Sequence, residues 1–302
     1  MSKLCYVFFS IVLFALITLS SSWAESAPTP LGGISSRFGP GGTGFPVGYL
    51  APVLNFIAGE SEALRLGTDK FNDDVETVSR LWMVKFRYGI AKGLDIRSVT
   101  PIYNVTIKDG QTNNKTKLNG IGDTTIALHK VVMSQQEGSP FSFAFDFAGV
   151  LPTAQTDDGS IYALGNRAWG IGWGFGLTYF FLNSHRLDHE FLYVKTFEGE
   201  DDYQKGAYYQ ITTAYAYAVN NSVDLGLESV FLSEAEAEVN GRGMNNGMSE
   251  WYIGPKVTFK SDKLGGFLGL AVNFPVYRDY DQVSPSDDYR FEFKLVKAFD
   301  FF

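Results

Sequence analysis

Residues 168–182 read AWGIGWGFGLTYFFL. Trp173, Phe175, Leu177, Tyr179 and Phe181 fall on odd positions, and Gly170, Gly172, Gly174 and Gly176 on even ones. Side chains alternate with period two only in an extended strand, where neighbours point to opposite faces. This stretch is a strand with one aromatic face and one nearly bare face. Repeated interior glycine weakens a strand and marks a crowded or curved place, so something must use the bare side.

The same alternation recurs through most of the chain. Phe141, Phe143, Phe145 and Phe147 alternate with Ser142, Ala144, Asp146 and Ala148; Tyr209, Ile211, Thr213, Tyr215 and Tyr217 alternate with Gln210, Thr212, Ala214, Ala216 and Ala218. Twelve strands are expected near 48–58, 77–90, 93–107, 120–134, 139–152, 168–183, 187–198, 203–219, 222–236, 249–261, 264–277 and 289–302. Short links at 91–93, 134–138, 183–186, 220–221 and 261–263 alternate with longer polar ones, the compact 198–202 being the weak exception. Tight turns on one side and longer loops on the other are the asymmetry of a barrel in an outer membrane. Closing the sheet removes the backbone edges that lipid cannot satisfy. A secreted β-sandwich also alternates. The 16% aromatic content, the strand lengths, the link asymmetry and the phenylalanine-rich end FEFKLVKAFDFF favour the barrel. The fold expected is all-β: a transmembrane antiparallel up-and-down β-barrel of about 12 strands.

Residues 1–24 place Lys3 before an apolar run from Leu4 to Leu19, with small Ser22 and Ala24 at the A-x-A-like positions of a cleaved signal peptide. Residues 25–47, with PTPLGG and GPGGTGFPVG, are expected to be a Gly/Pro-rich periplasmic lead-in, and 48–302 the barrel. Cleavage removes the lone cysteine, Cys5, and leaves 24 basic against 33 acidic residues, a formal charge of −9. No thiolate metal site or cysteine nucleophile remains, and the acidity argues against nucleic acid as a partner.

If the aromatics face lipid, charged residues on the opposite phase face the lumen. Those are Lys85, Arg87, Asp95, Arg97, Asp123, Asp146, Glu190, Glu228, Lys256, Arg290, Glu292 and Lys294. Basic residues facing mid-bilayer would cost ~2–4 kcal/mol each, which supports this phase. Two roles stay open for them: ion pairs that fill a small barrel, or a lining for a solute path. Asp123 has Arg97 as a candidate partner. Lys195 and Lys297 fall on the apolar phase and would have to snorkel to a headgroup.

His129, His185 and His189 come without a G-x-S-x-G elbow or an H-E-x-x-H pair, so no enzyme, cofactor or metal site is read from the sequence. The acidic loops FNDDVET, EGEDDY and SPSDD lack an EF-hand ligand pattern.

LDIRSVTPIYNV, NGIGDTTIALH and FDFAGVLPTAQTDDGS, in that order, resemble strands of the MetA-pathway phenol-degradation family of outer-membrane proteins. The resemblance runs from about residue 45 to 302, with Ala154 standing where the family often has glycine after LPT. It implies passage of hydrophobic or aromatic compounds across the outer membrane of a Gram-negative cell, without catalytic residues. The expected function is a channel or transporter for small solutes, hydrophobic or aromatic ones included. The alternative is a non-conducting structural or adhesion barrel whose external loops bind a partner. Expected partners are outer-membrane lipid and lipopolysaccharide, the barrel-insertion machinery through the C-terminal strand, and the solute. Whether inward side chains or the Gly/Pro-rich lead-in plug the lumen is left open.

Overall fold

The computed structural model describes residues 30–39, 41–71, 75–109, 114–156, 165, 167–182, 184–261 and 265–300; the signal-peptide segment lies outside them. Twelve strands form the wall. The first four are β1 (Tyr49–Ser61), β2 (Val75–Ala91), β3 (Leu94–Asp109) and β4, which runs as Lys115–Ile121 and then Thr124–Met133. Next come β5 (Ser142–Leu151), β6 (Gly170–Phe181), β7 (His185–Thr196) and β8 (Tyr208–Ala218). The last four are β9 (Val223–Glu234), β10 (Met248–Ser261), β11 (Gly266–Tyr280) and β12 (Tyr289–Lys297, prolonged by Phe299–Asp300).

Each strand pairs antiparallel with its sequence neighbours, and β1 also pairs with β12, from Val53↔Val296 to Glu60↔Tyr289. That last pairing closes the barrel and leaves no edge along most of the wall. The short links lie at one end, and the long ones at the other. The long links are ordered into two small sheets: Leu64–Leu66, Asp69–Phe71 and Ser284–Pro285 form one, and Tyr203–Gln204, Glu238–Val239 and Arg242–Gly243 the other.

The phase is the one the alternation dictates. Val84, Phe86, Phe145, Phe147, Ile171 and Trp173 are exposed on the outer surface, where Phe56 packs on Trp82 at 4.3 Å and Phe175 stacks on Phe191 at 5.5 Å between centroids. Small and charged residues of the other phase, among them Ala127, Ala144, Ala214, Ala216, Asp95 and Lys256, are buried inside. Lys195 and Lys297 do stand on the outer face. Lys195 pairs in register with Ile171 near the long-link end, and Lys297 sits 4.9 Å over the Phe299 ring near the other. Both positions allow an ammonium to reach a headgroup layer.

Candidate functional site in the lumen

The interior of the barrel is occupied by its own N-terminal segment. The described residues between Pro30 and Pro46 fold back among the inward side chains, the plugged arrangement that the sequence left open for the Gly/Pro-rich stretch. Leu31 N donates to Asp224 Oδ2 at 2.8 Å, and Pro30 O accepts from Arg186. Both partners lie where β9 and β7 leave the short-link end. The chain then rises to Ser35 and Ser36 at mid-wall and descends to Thr43 and Phe45, beside Arg87 and Asp95. It joins the wall where Val47 bridges to Gly89. Arg37, near the tip, stacks over the Tyr208 ring at 5.3 Å, pointing toward the long-link end.

A segment without a strand partner still has peptide groups that must be satisfied away from water. The lumen charges do this. Glu228 accepts from Ile34 N, from Ser35 N at 3.0 Å and from Ser35 Oγ at 2.5 Å. Glu190 accepts from Ser36 Oγ at 2.6 Å and Gly41 N at 2.5 Å, and Glu292 from Ser35 Oγ at 3.0 Å. Three ammonium groups serve the carbonyls: Lys256 to Gly32 at 2.8 Å, Lys294 to Gly33 at 3.1 Å and Lys85 to Ser36 at 3.0 Å. Carboxylates hold the N–H groups and lysines the C=O groups, so a plug held by its backbone requires both signs of charge. Charge-assisted bonds of this kind contribute ~1.5–3 kcal/mol each.

One glycine of β6, Gly176, turns its bare face to the plug, whereas a Cβ at Gly170, Gly172 or Gly174 would lie 2.4–2.8 Å from carbonyls of β7. A Cβ at Gly176 would lie 2.4 Å from Gly41 O, and one at Gly42 would lie 2.3 Å from Ser142 O. Plug and wall meet backbone to backbone there, which only glycine permits. Gly41 adds a positive φ of +45° that other residues rarely adopt.

Above the tip, Phe38 packs against Val150, Leu192 and Val194, the apolar residues at the long-link ends of β5 and β7. Beside Phe38 and Leu192 lies a water-sized recess of about 20 Å³, bordered also by Arg37, Arg97, Asp146, Glu190, Gln210 and Thr212. The cavity is thus apolar on one side and polar on the other.

Nine of the sequence-read lumen candidates converge below and around this tip: Lys85, Arg87, Arg97, Asp146, Glu190, Glu228, Lys256, Glu292 and Lys294. Asp95 joins them, binding Arg87 and Arg97 at 2.9 and 2.6 Å. Asp146 holds buried His129 at 2.9 Å. Two candidates sit elsewhere. Asp123, at the break in β4, accepts from Ala154 N at 2.9 Å, so the described bonds tie it to the following loop and give Arg97 to Asp95 instead. Arg290 reaches Glu250 at 2.7 Å and Asp287 at 2.9 Å, fastening the link between β11 and β12. The candidates read from the sequence omit Arg186, Asp188, Asp224 and Glu250, though all share the inward phase of their strands, and parity was the signal that could have found them. His185 and His189 bind Tyr215 and Thr213 separately. No group of three or more metal-ligating side chains occurs among the described residues.

The family model described as "Putative MetA-pathway of phenol degradation" matches residues 35–281. The chain belongs to that family. No curated protein sequence matches this family member. Among solved structures, the COG4313 outer membrane channel from Pseudomonas putida F1 superposes with a TM-score of 0.71 at 13% identity, over 85% of this chain and 98% of that one. The Pseudomonas putida toluene transporter TodX gives 0.39 at 8% identity, over 91% and 99%. The first likeness shows the fold.

Proposed function

We propose that the chain is an outer-membrane channel that admits small hydrophobic or aromatic solutes rather than freely diffusing ions. The observation that carries this reading is the plugged lumen, with an apolar cluster around Phe38 and a small amphipathic recess against the plug. The plug fills the water path at mid-wall. Phe38, itself only partly buried, packs on the buried Val150, Leu192 and Val194 and makes the long-link end of the plug apolar. Small-molecule sites are concave and mostly apolar, with few polar groups to orient the ligand; the recess holds only about 20 Å³, so a solute enters it as the plug shifts. Membership of the family and the fold of a solved outer-membrane channel support the same reading.

The test is binding of naphthalene to the purified barrel, followed by quenching of intrinsic fluorescence, with Leu192→Gln beside the wild type. Saturable binding weakened about tenfold by the substitution is expected, the magnitude of one lost apolar contact surface. Wild-type barrel that binds no apolar or polar solute, in liposomes impermeable to all of them, would favour the structural or adhesion reading.

A further inference from the structure

A cationic ladder stands on the outer surface of the long-link end, on the extended tips of β2, β3 and β4. In this region Trp82, Ile102 and Ile121 face outward in one continuous register, all exposed. Moving away from the barrel's middle on the same face, the next step carries Arg80, Asn104 and Asn119 in register. Beyond that Thr106 pairs with Lys117, and Lys108 pairs directly with Lys115. The face thus passes from an apolar belt through amide and hydroxyl groups to three lysines and an arginine.

Two features make this more than scattered surface charge. Directly opposed residues of antiparallel strands have Cβ atoms only about 5 Å apart, and like charges there are destabilising. Lys108 and Lys115 are such a pair, with Lys117 two residues along the same face. The chain as a whole carries more acid than base, 33 against 25 residues, so a local excess of cations runs against its composition. Of the acids nearby, Glu76 meets Lys108 at 3.7 Å, and Glu60, on β1 beyond β2, is engaged by Tyr289. Asp109 faces the other side of β3. Among the described residues no carboxylate pairs with Arg80, Lys115 or Lys117.

We infer that this ladder binds the phosphorylated headgroup of an outer-leaflet glycolipid. Its height fits: the belt of Trp82, Ile102 and Ile121 marks the edge of the hydrocarbon, and four residues of strand lift Lys117 about 13 Å from Ile121 along the strand. That is the layer where lipid phosphates lie, and a phosphate between Lys108 and Lys115 removes their repulsion. The inference rests on the outer-membrane placement proposed above and is independent of the solute. The competing role is protective, because lysines also guard exposed strand edges, and, among the described residues, 115–119 of β4 pair with β3 alone.

The measurement is native mass spectrometry of the folded full barrel with a diphosphorylated lipid A, comparing wild type with K108Q/K115Q/K117Q. K92Q/K130Q/K297Q removes the same charge near the other end. Retention of the lipid should fall at least tenfold, on the order of one lysine's contribution or more, in the first variant and remain unchanged in the second. The dephosphorylated lipid should bind wild type as poorly as the first variant binds the intact one. Equal retention by all three proteins, equal binding of the dephosphorylated lipid, or complete competition by inorganic phosphate would overturn the inference. A triple variant that aggregates yet keeps its lipid would assign the lysines to edge protection. Heat-modifiable gel mobility checks folding into lipid: its loss in the wild type would defeat the outer-membrane placement, whereas a folded barrel indifferent to the lysines defeats only the lipid site.

Discussion

Gly176 and Glu228 show how single positions set the state of the lumen. Gly176 has no side chain because Gly41 O of the plug would collide with one. Gly176→Val should therefore dislodge the plug at a cost of ~1–3 kcal/mol from forced overlap, while β6 keeps its ladder. Planar-bilayer recordings are expected to show larger and more frequent current steps than wild type. Glu228 works by attraction: it takes two plug N–H groups and the Ser35 hydroxyl, and it faces Lys256 at 3.8 Å. Glu228→Ala leaves those donors and a buried ammonium without their acceptor, a loss of ~3–5 kcal/mol by analogy with other broken buried pairs. Limited proteolysis within residues 30–46 should become faster in the folded protein. Equal cleavage in wild type and variant would mean that Glu228 does not hold the plug. Neither role is legible locally, since a glycine in a strand and a glutamate on the inward phase have many uses.

At the scale of elements, plug and wall are held differently. The wall is a hydrogen-bonded ladder that each strand shares with two neighbours. The plug is held by side chains from several separate strands, with bonds from Ser35 to partners 193 and 257 residues away. A variant lacking residues 30–44 should therefore still fold as a barrel, and its single-channel conductance should exceed that of wild type and be sustained. Silence in both proteins would mean that the lumen closes without the plug. Period two made the twelve strands readable, but not the Lys115–Ile121 part of β4, which fell mostly in an expected polar link, nor the break at Gly122 and Asp123 that follows it. The plug has no period, so its composition announced irregular backbone but not where that backbone goes.

For the whole molecule, the lipid-facing surface and the closed ladder decide stability together. Val84 is exposed on the outer face, in register with Leu54, which pairs in turn with Leu295 beside the closing seam. Val84→Arg is expected to lower stability in bilayers by ~2–4 kcal/mol, measured by denaturant titration in lipid vesicles. The same substitution should matter far less in detergent micelles, which deform around a charge. A cost equal in both media would place Val84 outside the hydrocarbon layer.

The sequence by itself determined the strand number, the inward and outward phases and the closed barrel. Each follows from a local rule: in lipid, every second side chain must be apolar and every backbone group must find a strand partner. The tertiary structure alone decided which charges meet, that Asp95 rather than Asp123 takes Arg97, and that residues 30–46 enter the lumen. Those contacts join residues up to 261 positions apart, as Lys294 does in reaching Gly33. Closing the cylinder brings such residues face to face across the lumen. Periodicity along a single strand reports which face a side chain occupies, and carries no information about its partner on the opposite wall.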